Sequence, residues 1–216
     1  MTAGAAAEKI LHIAPERLER WLSGFEQRHG AVEVLTGPET VMVDAADGAR
    51  AVCTVPFPPL SVDDDAAYGG LVGHAIRARR VGVLLVRRGG HAVGVFDGTA
   101  LVVSKVGSRH VQGRTAAGGQ SQQRFARRRA KQAREAFEAA ADVAARILVP
   151  HISTLDAVVT GGDRTAIDSV LTDRRLTAVR DLLTGSPLNV PDPKLAVLKA
   201  TPAQFRSVRI MLTEPA

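Results

Sequence analysis

Hydrophobic positions follow a helical period and then a strand period over the first 55 residues. In residues 15–29 they recur at spacings of 3, 1 and 3, which makes one helix face of Leu18, Trp21, Leu22 and Phe25. Gly30 follows as a C-terminal stop. Short apolar runs at 32–35, 40–43 and 51–55 come next, separated by Gly-Pro and Asp-Gly pairs that favour turns. The pattern predicts one helix followed by three short strands.

A proline-rich and acidic stretch interrupts this pattern at about residues 57–70 and indicates a linker or surface loop. A short helix is expected around residues 68–77. Apolar runs at 81–86, 91–96 and 100–106 are then separated by Gly-Gly and Asp-Gly turns, which predicts a three-stranded antiparallel meander. Residues 107–119 contain several glycines and no apolar periodicity, and a loop is expected there.

Residues 121–148 have the longest helical period in the chain. The apolar stripe recurs every three or four residues and comprises Ala126, Ala130, Ala133, Phe137, Ala140, Ala144 and Ile147. This stripe is expected to pack on the meander, with the arginines pointing outward and Pro150 ending the helix.

Further elements are expected downstream of this helix. They are a strand at 155–159 closed by Gly161-Gly162, a helix capped by Asp163 and running through Leu171, helices at 176–183 and 194–199, and a last strand at 208–212. The order of elements predicts an α/β layered domain over residues 71–216, preceded by a small α+β extension over residues 1–70.

Basic charge is concentrated in one segment of the chain. Nine of the 28 Lys and Arg residues lie between Lys105 and Arg134, where no Asp or Glu occurs. The other 19 basic residues are set against 22 acidic residues, so this segment alone accounts for the net charge of +6. Such a block favours a polyanionic partner over a merely solvated helix face, which usually mixes both signs.

Several other classes of protein are disfavoured by composition. The single cysteine, Cys53, forms no internal disulfide and is expected to be a buried strand residue. The six histidines show no paired spacing, so neither a metal site nor a cofactor is expected. No apolar run is long enough for a membrane span, and the N-terminus lacks a signal-peptide pattern, so a cytoplasmic protein is expected.

The sequence GGQSQQRFARRR begins at Gly118 and ends at Arg129. It resembles the GGQ catalytic domain of the archaeal and eukaryotic class I release factors, whose pattern is close to GGQSxxRFxRxR. The resemblance covers about residues 80–215 and is most specific over residues 113–134. It implies an RNase H-like mixed-sheet α/β domain in which Gly118, Gly119 and Gln120 form the catalytic loop.

At 216 residues, the chain is expected to contain neither a stop-codon-reading domain nor a GTPase-recruiting domain. It is therefore most similar to the Vms-like release factors, including a stand-alone actinobacterial peptidyl-tRNA hydrolase branch. That resemblance implies a carboxylic ester hydrolase that releases nascent chains from stalled ribosomes or large subunits without stop-codon recognition. Its implied partners are the large-subunit rRNA, the peptidyl transferase centre and peptidyl-tRNA. A monomer that does not bind membranes is expected.

The chemistry of ester hydrolysis suits these residue types. Two glycines permit a close backbone approach, and the Gln120 N–H can donate to the oxyanion while its amide orders the attacking water. Basic residues on both faces of the first helical turns, together with two in the loop, are expected to neutralise RNA phosphates: His110, Arg114, Arg124, Arg127, Arg128, Arg129, Lys131 and Arg134.

Three alternatives remain open at this point. The same loop and helix suit a tRNA endonuclease that cuts near the CCA end. A non-catalytic ribosome or RNA binder would keep the basic helix but make no use of Gln120. In a generic α/β domain, the GGQ would be a chance occurrence.

Near residue 161, a glycine turn with an Asp163 cap is favoured over an anion-binding site, since Asp163 would repel phosphate.

Overall fold

The computed structural model describes residues 7–108 and 120–215. Its elements in the first part of the chain are β1 (Ala7–Ile13), α1 (Pro15–His29), β2 (Val32–Thr36), β3 (Thr40–Ala45), β4 (Arg50–Thr54), a 3-10 turn (Ala67–Gly70), α2 (Leu71–Ile76), β5 (Arg80–Arg87), β6 (Gly90–Asp97) and β7 (Ala100–Ser108). Those in the second part are α3 (Gln120–Leu148), a 3-10 helix (Val149–Thr154), β8 (Ala157–Gly162), α4 (Arg164–Leu171), a 3-10 turn (Arg174–Leu176), α5 (Thr177–Asp181), α6 (Leu195–Ala200), α7 (Pro202–Phe205) and β9 (Val208–Glu214).

These elements form two compact units. The first unit comprises the chain up to Arg77 together with the segment from Ala203 onward, and the second unit is Ala78–Pro202. This division differs from the predicted 1–70 and 71–216 at the C-terminal end, because β9 pairs with β1 and β4. The last strand is present as predicted, but it belongs to the first sheet.

The first unit is a five-stranded antiparallel sheet in the order β1-β9-β4-β3-β2. Leu18, Leu22 and Phe25 of α1 are fully buried in the core that this unit builds on one face of its sheet. Strand β1 was not predicted, because its sequence AEKILHI mixes charged and apolar residues without clean alternation. Its pairing with β9 is a long-range contact that no local pattern shows.

Cys53 lies in the core of the first unit and is completely buried. Burial disfavours the thiolate and raises the pKa of the thiol to about 12. The expectation of a structural cysteine in a strand is confirmed.

The second unit is a mixed sheet in the order β7-β6-β5-β8, with the three meander strands antiparallel and β8 parallel to β5. The mixed-sheet α/β fold and the meander are confirmed. Six consecutive residues are buried in each of β5 and β6, as expected for strands covered on both faces. The outer side of β8 bonds to the segment after α5, where Val158 N–H donates to Leu182 O at 2.7 Å and Leu188 N–H donates to Thr160 O at 2.8 Å.

The double glycine after Val159 was predicted to close a strand, but Gly161 and Gly162 are part of β8, in register with Leu85 and Val86. A Cβ at Gly162 would lie 2.2 Å from Val86 O, and the residue has a φ of +106°, so only glycine fits there. Asp163 then caps α4 by accepting a hydrogen bond from Ala166 N–H. The structural interpretation of this turn is confirmed.

Candidate functional site

Strand β7 and helix α3 flank the segment that contains the GGQ. The strand ends at Ser108 and the helix begins at Gln120. Gly118 and Gly119, together with His110 and Arg114, lie outside the described residues, as do the side chains of Gln120, Arg124 and Arg129. The described part of the site is therefore the frame that holds the two ends of the segment.

The strand end of this frame is built around a buried histidine. His91 of β6 pairs with Gly107 of β7, and its side chain is only 7% exposed. A Cβ at Gly107 would lie 2.5 Å from His91 Nε2, so the imidazole fills the space that a side chain at position 107 would need. The sequence predicts that Gly107 lies in a loop, but the structure places it in β7, one residue before the strand ends. Because glycine has no side chain, His91 can pack against this end of the strand.

Sequence patterns alone did not reveal this contact. His91 and Gly107 are 16 positions apart, and nothing in their separate neighbourhoods links them. The pair could be predicted from the register between β6 and β7, but that register shifts at an irregularity between Val95 and Phe96. A β-bulge of this kind shifts every later pairing by one residue.

The C-terminal half of α3 anchors the helix end of the frame. Ala140, Ala144 and Leu148 are at most 1% exposed and pack in one core with β5, β6 and α4. The predicted packing of the apolar stripe on the meander is therefore confirmed for this half of the helix. Burial of this face removes apolar surface from water, which is the dominant stabilising term for such a contact.

A charged link outside the core also ties this half of the helix to the rest of the unit. Arg175 donates to Asp142 of α3 and to Asp173, in both cases from Nη2 at 2.7 Å. Hydrogen bonds from the Arg175 side chain and backbone lower the pKa of Asp173 to about 2. The guanidinium therefore bridges the carboxylates of Asp142 and Asp173.

The N-terminal half of α3 has a different character. No described side chain between Arg127 and Ala139 is buried, and Ala130 is exposed although it belongs to the predicted apolar stripe. From Gln120 to Ala140, the first buried position among those described, the helix rises by about 30 Å at 1.5 Å per residue. The anchored half is thus followed, toward the GGQ, by a half in which Phe137 still packs against the core and the described positions from 127 to 131 are exposed.

Four described cations lie on this N-terminal half: Arg127, Arg128, Lys131 and Arg134. At about 100° per residue they fall within about 120° of the helix circumference. These four therefore share one side of the helix, and the predicted distribution over both faces also depends on Arg124 and Arg129, whose side chains lie outside the described residues.

The cations nearest the GGQ differ from those farther along the helix in their ion pairing. Lys131 lies 3.9 Å from Glu135, and Arg134 lies 3.7 Å from Glu138, both at i,i+4 spacing. Among the described residues, no carboxylate is within salt-bridge distance of Arg127 or Arg128. The positive end of the helix dipole adds to the potential at this end. Of the described cations on this helix, Arg127 and Arg128 are thus the most available to an anion.

Neither a metal centre nor a membrane segment is apparent in the described part of the chain. No group of three or more His, Cys, Asp or Glu side chains within it is arranged to hold a metal ion. None of its helices is long and apolar enough to cross a membrane.

A sequence profile of the Actinobacteria/Chloroflexi VLRF1 release factors matches residues 79–211, more than half of the chain. The chain belongs to this family. The match begins at the start of the second unit and extends into β9 of the first unit. Membership supports a ribosome-associated release function for the chain and implies that it interacts with the ribosome.

Solved structures that are similar to this chain include two archaeal proteins and one Vms1 fragment. An archaeal translation termination factor, aRF1, has a TM-score of 0.45 and 18% identity, over 95% of this chain and 68% of that chain. A structure described as an archaeal protein has a TM-score of 0.43 and 16% identity over the same shares. The Vms1 mitochondrial localization core has a TM-score of 0.42 and 8% identity, over 85% of this chain and 92% of that chain. No curated protein matches the sequence.

Proposed function

We propose that this VLRF1 family member is a peptidyl-tRNA hydrolase that acts on the ribosomal large subunit without reading a stop codon. The observation that carries this proposal is the position of Gln120. It is the first residue of a helix whose far half is anchored in the second unit and whose near half bears exposed cations. The helix can therefore hold the GGQ at a distance from the body of the unit, as access to a narrow RNA-lined site requires.

The reaction is the hydrolysis of the ester between the peptide and the terminal ribose of the tRNA. Water attacks the carbonyl carbon, a tetrahedral oxyanion forms, and the bond to the ribose oxygen breaks. The ribose oxygen takes a proton and the peptide leaves as a carboxylic acid. Gly118 and Gly119 admit the backbone close to the ester, and the Gln120 N–H donates to the oxyanion or to the leaving oxygen.

Glutamine is uncharged and a poor general base. In this proposal its side chain orders the attacking water, and proton transfer relies on the RNA or on water. Catalysis then comes mainly from positioning, which can contribute several kcal/mol when the reacting groups are held in alignment. No activity is expected on a free ester in solution, and the protein acts where ribosomes are, in the cytoplasm.

The exposed cations serve affinity in this proposal. Arg127 and Arg128 have no acidic partner among the described residues and can neutralise rRNA or acceptor-stem phosphates directly. Lys131 and Arg134 would have to exchange their partners Glu135 and Glu138 for phosphate. Together with His110, Arg114, Arg124 and Arg129, they would make binding salt-dependent and largely independent of sequence.

The product distinguishes ester hydrolysis from cleavage of the tRNA. Stalled large-subunit complexes that carry labelled peptidyl-tRNA are incubated with the protein, and both the released peptide and the tRNA are sized. Hydrolysis predicts free peptide and tRNA with an intact CCA end. A shortened tRNA would replace this proposal with the endonuclease function, and no release from bound complexes would indicate a non-catalytic binder.

A further inference from the structure

The five-stranded sheet of the first unit has a second face that its core does not use. One residue from each strand points to this face at the same level, and successive members are paired in register across the sheet. We call this set the outer row: Ile10, Met211, Val52, Met42 and Leu35. It is a continuous apolar line across all five strands.

Exposure confirms which way these side chains point. Ile10 and Leu35, at the two ends, are each 57% exposed, and the three central members are partly exposed. Their neighbours along the strands, such as Val41, Cys53 and Ile210, are fully buried in the core on the opposite face. Because side chains alternate along a strand, the core and the outer row occupy opposite faces of one sheet. Both internal methionines of the chain lie in this row.

On the same face, the residues two positions to either side of the outer row along each strand form two flanks that differ in charge. On one side the exposed residues include Glu8, Glu33 and the Asp44–Arg50 ion pair, so this flank is acidic. On the other side lie His12 and Arg209, paired in register with each other, followed by Thr54 and Thr40. The face thus has an acidic flank, an apolar centre and a basic flank.

This face is unsuited to nucleic acid. The first unit contains eight basic and 12 acidic residues, a net charge of −4. A flat apolar line that contains methionines is typical of a protein-binding surface, since methionine adapts its shape to a partner.

We propose that the outer row is a self-association surface whose occupant is a second copy of this chain. A two-fold axis running along the row, between two facing sheets, sets each row residue opposite its own counterpart. The same rotation places the acidic flank of one copy against the basic flank of the other, so that Glu8 of one copy faces His12 and Arg209 of the second. The charges are therefore self-complementary at the β1–β9 end of the row, while Asp44 and Arg50 of one copy face Thr40 and Thr54 of the second.

The small area of this face limits the affinity of the expected dimer. Five strands about 4.8 Å apart and five to seven residues long present a face of roughly 400 Å². Stable complexes bury about 800 Å² per partner. The dimer is therefore weak, with a Kd of about 10 µM to 1 mM, and the chain is monomeric when dilute.

Sedimentation velocity over a concentration series tests this inference on the full chain. The wild type is expected to shift from monomer to dimer across the range of that Kd. Val52→Glu is expected to weaken dimerisation by at least about tenfold, because the introduced carboxylates face each other at the axis. Val102→Glu is the matched control: it is an exposed strand residue, 53% exposed, in the other sheet, and should leave the dimer unchanged.

Ile10→Glu provides a second disruptive variant at the exposed sheet edge, where it cannot damage the core if Val52→Glu fails to fold. A charge exchange tests the orientation. Glu8→Lys alone should weaken the dimer, and Glu8→Lys combined with Arg209→Glu should restore it. A wild type that stays monomeric at millimolar concentration overturns the inference. So does a dimer that survives both row variants, because another surface would then form it.

Discussion

The two units of this chain differ in charge and in where each leaves surface uncovered. The first unit has a net charge of −4, whereas the second has 20 basic and 10 acidic residues and a net charge of +10. In the second unit, strands β5 and β6 are buried on both faces, and four exposed cations lie on the described N-terminal half of α3. The sheet of the first unit is covered on one face only.

This difference leads us to expect different partners for the two units. A polyanion is attracted by the net charge of the second unit and repelled by that of the first, so the proposed function places the contact with RNA at the cations of α3. The apolar outer row suits contact with protein. The proposed RNA contact and the proposed self-association therefore use different surfaces, one in each unit.

The largest expected effect concerns the core of the first unit. Burial raises the pKa of the Cys53 thiol to about 12, which lowers the thiolate population at pH 8 about 1,000-fold relative to an exposed thiol. Iodoacetamide is therefore expected to leave the native protein unlabelled and to react readily in denaturant. A Val102→Cys variant supplies an exposed thiol as the control. Rapid labelling of Cys53 in native buffer would contradict a closed core.

The next effect compares the two halves of α3. Leu148→Ala removes a fully buried side chain and is expected to cost about 3 kcal/mol, or roughly a 100-fold change in the unfolding equilibrium. Ala130→Ser, on the exposed half, should change stability by less than about 0.5 kcal/mol. Urea denaturation measures both variants. Equal costs would mean that the helix is not anchored at one end only.

Ribosome binding is expected to depend more on Arg127 and Arg128 than on Lys131 and Arg134, which form ion pairs within the helix. Replacing Arg127 and Arg128 with alanine should weaken binding about tenfold and lower the slope of log affinity against log salt by about 2. The matched variant, Lys131→Ala with Arg134→Ala, should have a smaller effect, because these side chains are already paired with Glu135 and Glu138. Filter binding at several salt concentrations gives both slopes. Identical slopes would contradict the difference in ion pairing.

The smallest effect concerns the Asp173–Arg175 link. The pKa of Asp173 is depressed to about 2 in the folded protein, so its stabilising contribution is present above pH 4 and is lost as the pH falls toward 2. Asp173→Asn should lower stability at pH 7 by less than about 1 kcal/mol, since the pair is near the surface. The difference between wild type and variant should shrink from pH 4 downward in thermal melts. A difference that grows on acidification would have the wrong sign.

Local patterns predicted most elements of this fold and failed where long-range pairing decides. Helix α1, the meander and the Asp163 cap follow from spacing and capping within a few residues. Strand β1 and the placement of β9 depend on a contact between the two ends of the chain, which no window of sequence contains. Local sequence predicts a turn at the two glycines of β8, because the close approach of Val86 O to Gly162 depends on the pairing of β8 with β5.

In the candidate site, too, local features could be predicted from the sequence and long-range contacts could not. The GGQ and the acid-free basic segment are contiguous in sequence and were predicted together. The packing of His91 beside Gly107 depends on strand register, and the separation of paired from unpaired cations depends on helix geometry. These features refine the site without changing the chemistry that its residues favour.

The most direct test of the central claim is peptide release by Gly119→Ala at matched ribosome occupancy. Labelled peptidyl-tRNA on stalled large subunits is mixed with saturating wild type or variant, and the single-turnover release rate is measured. A Cβ at this glycine obstructs the close approach that aligns the Gln120 N–H, so we expect the rate to fall by about 100-fold or more with binding unchanged. Release at the wild-type rate would show that the GGQ is not the catalytic element.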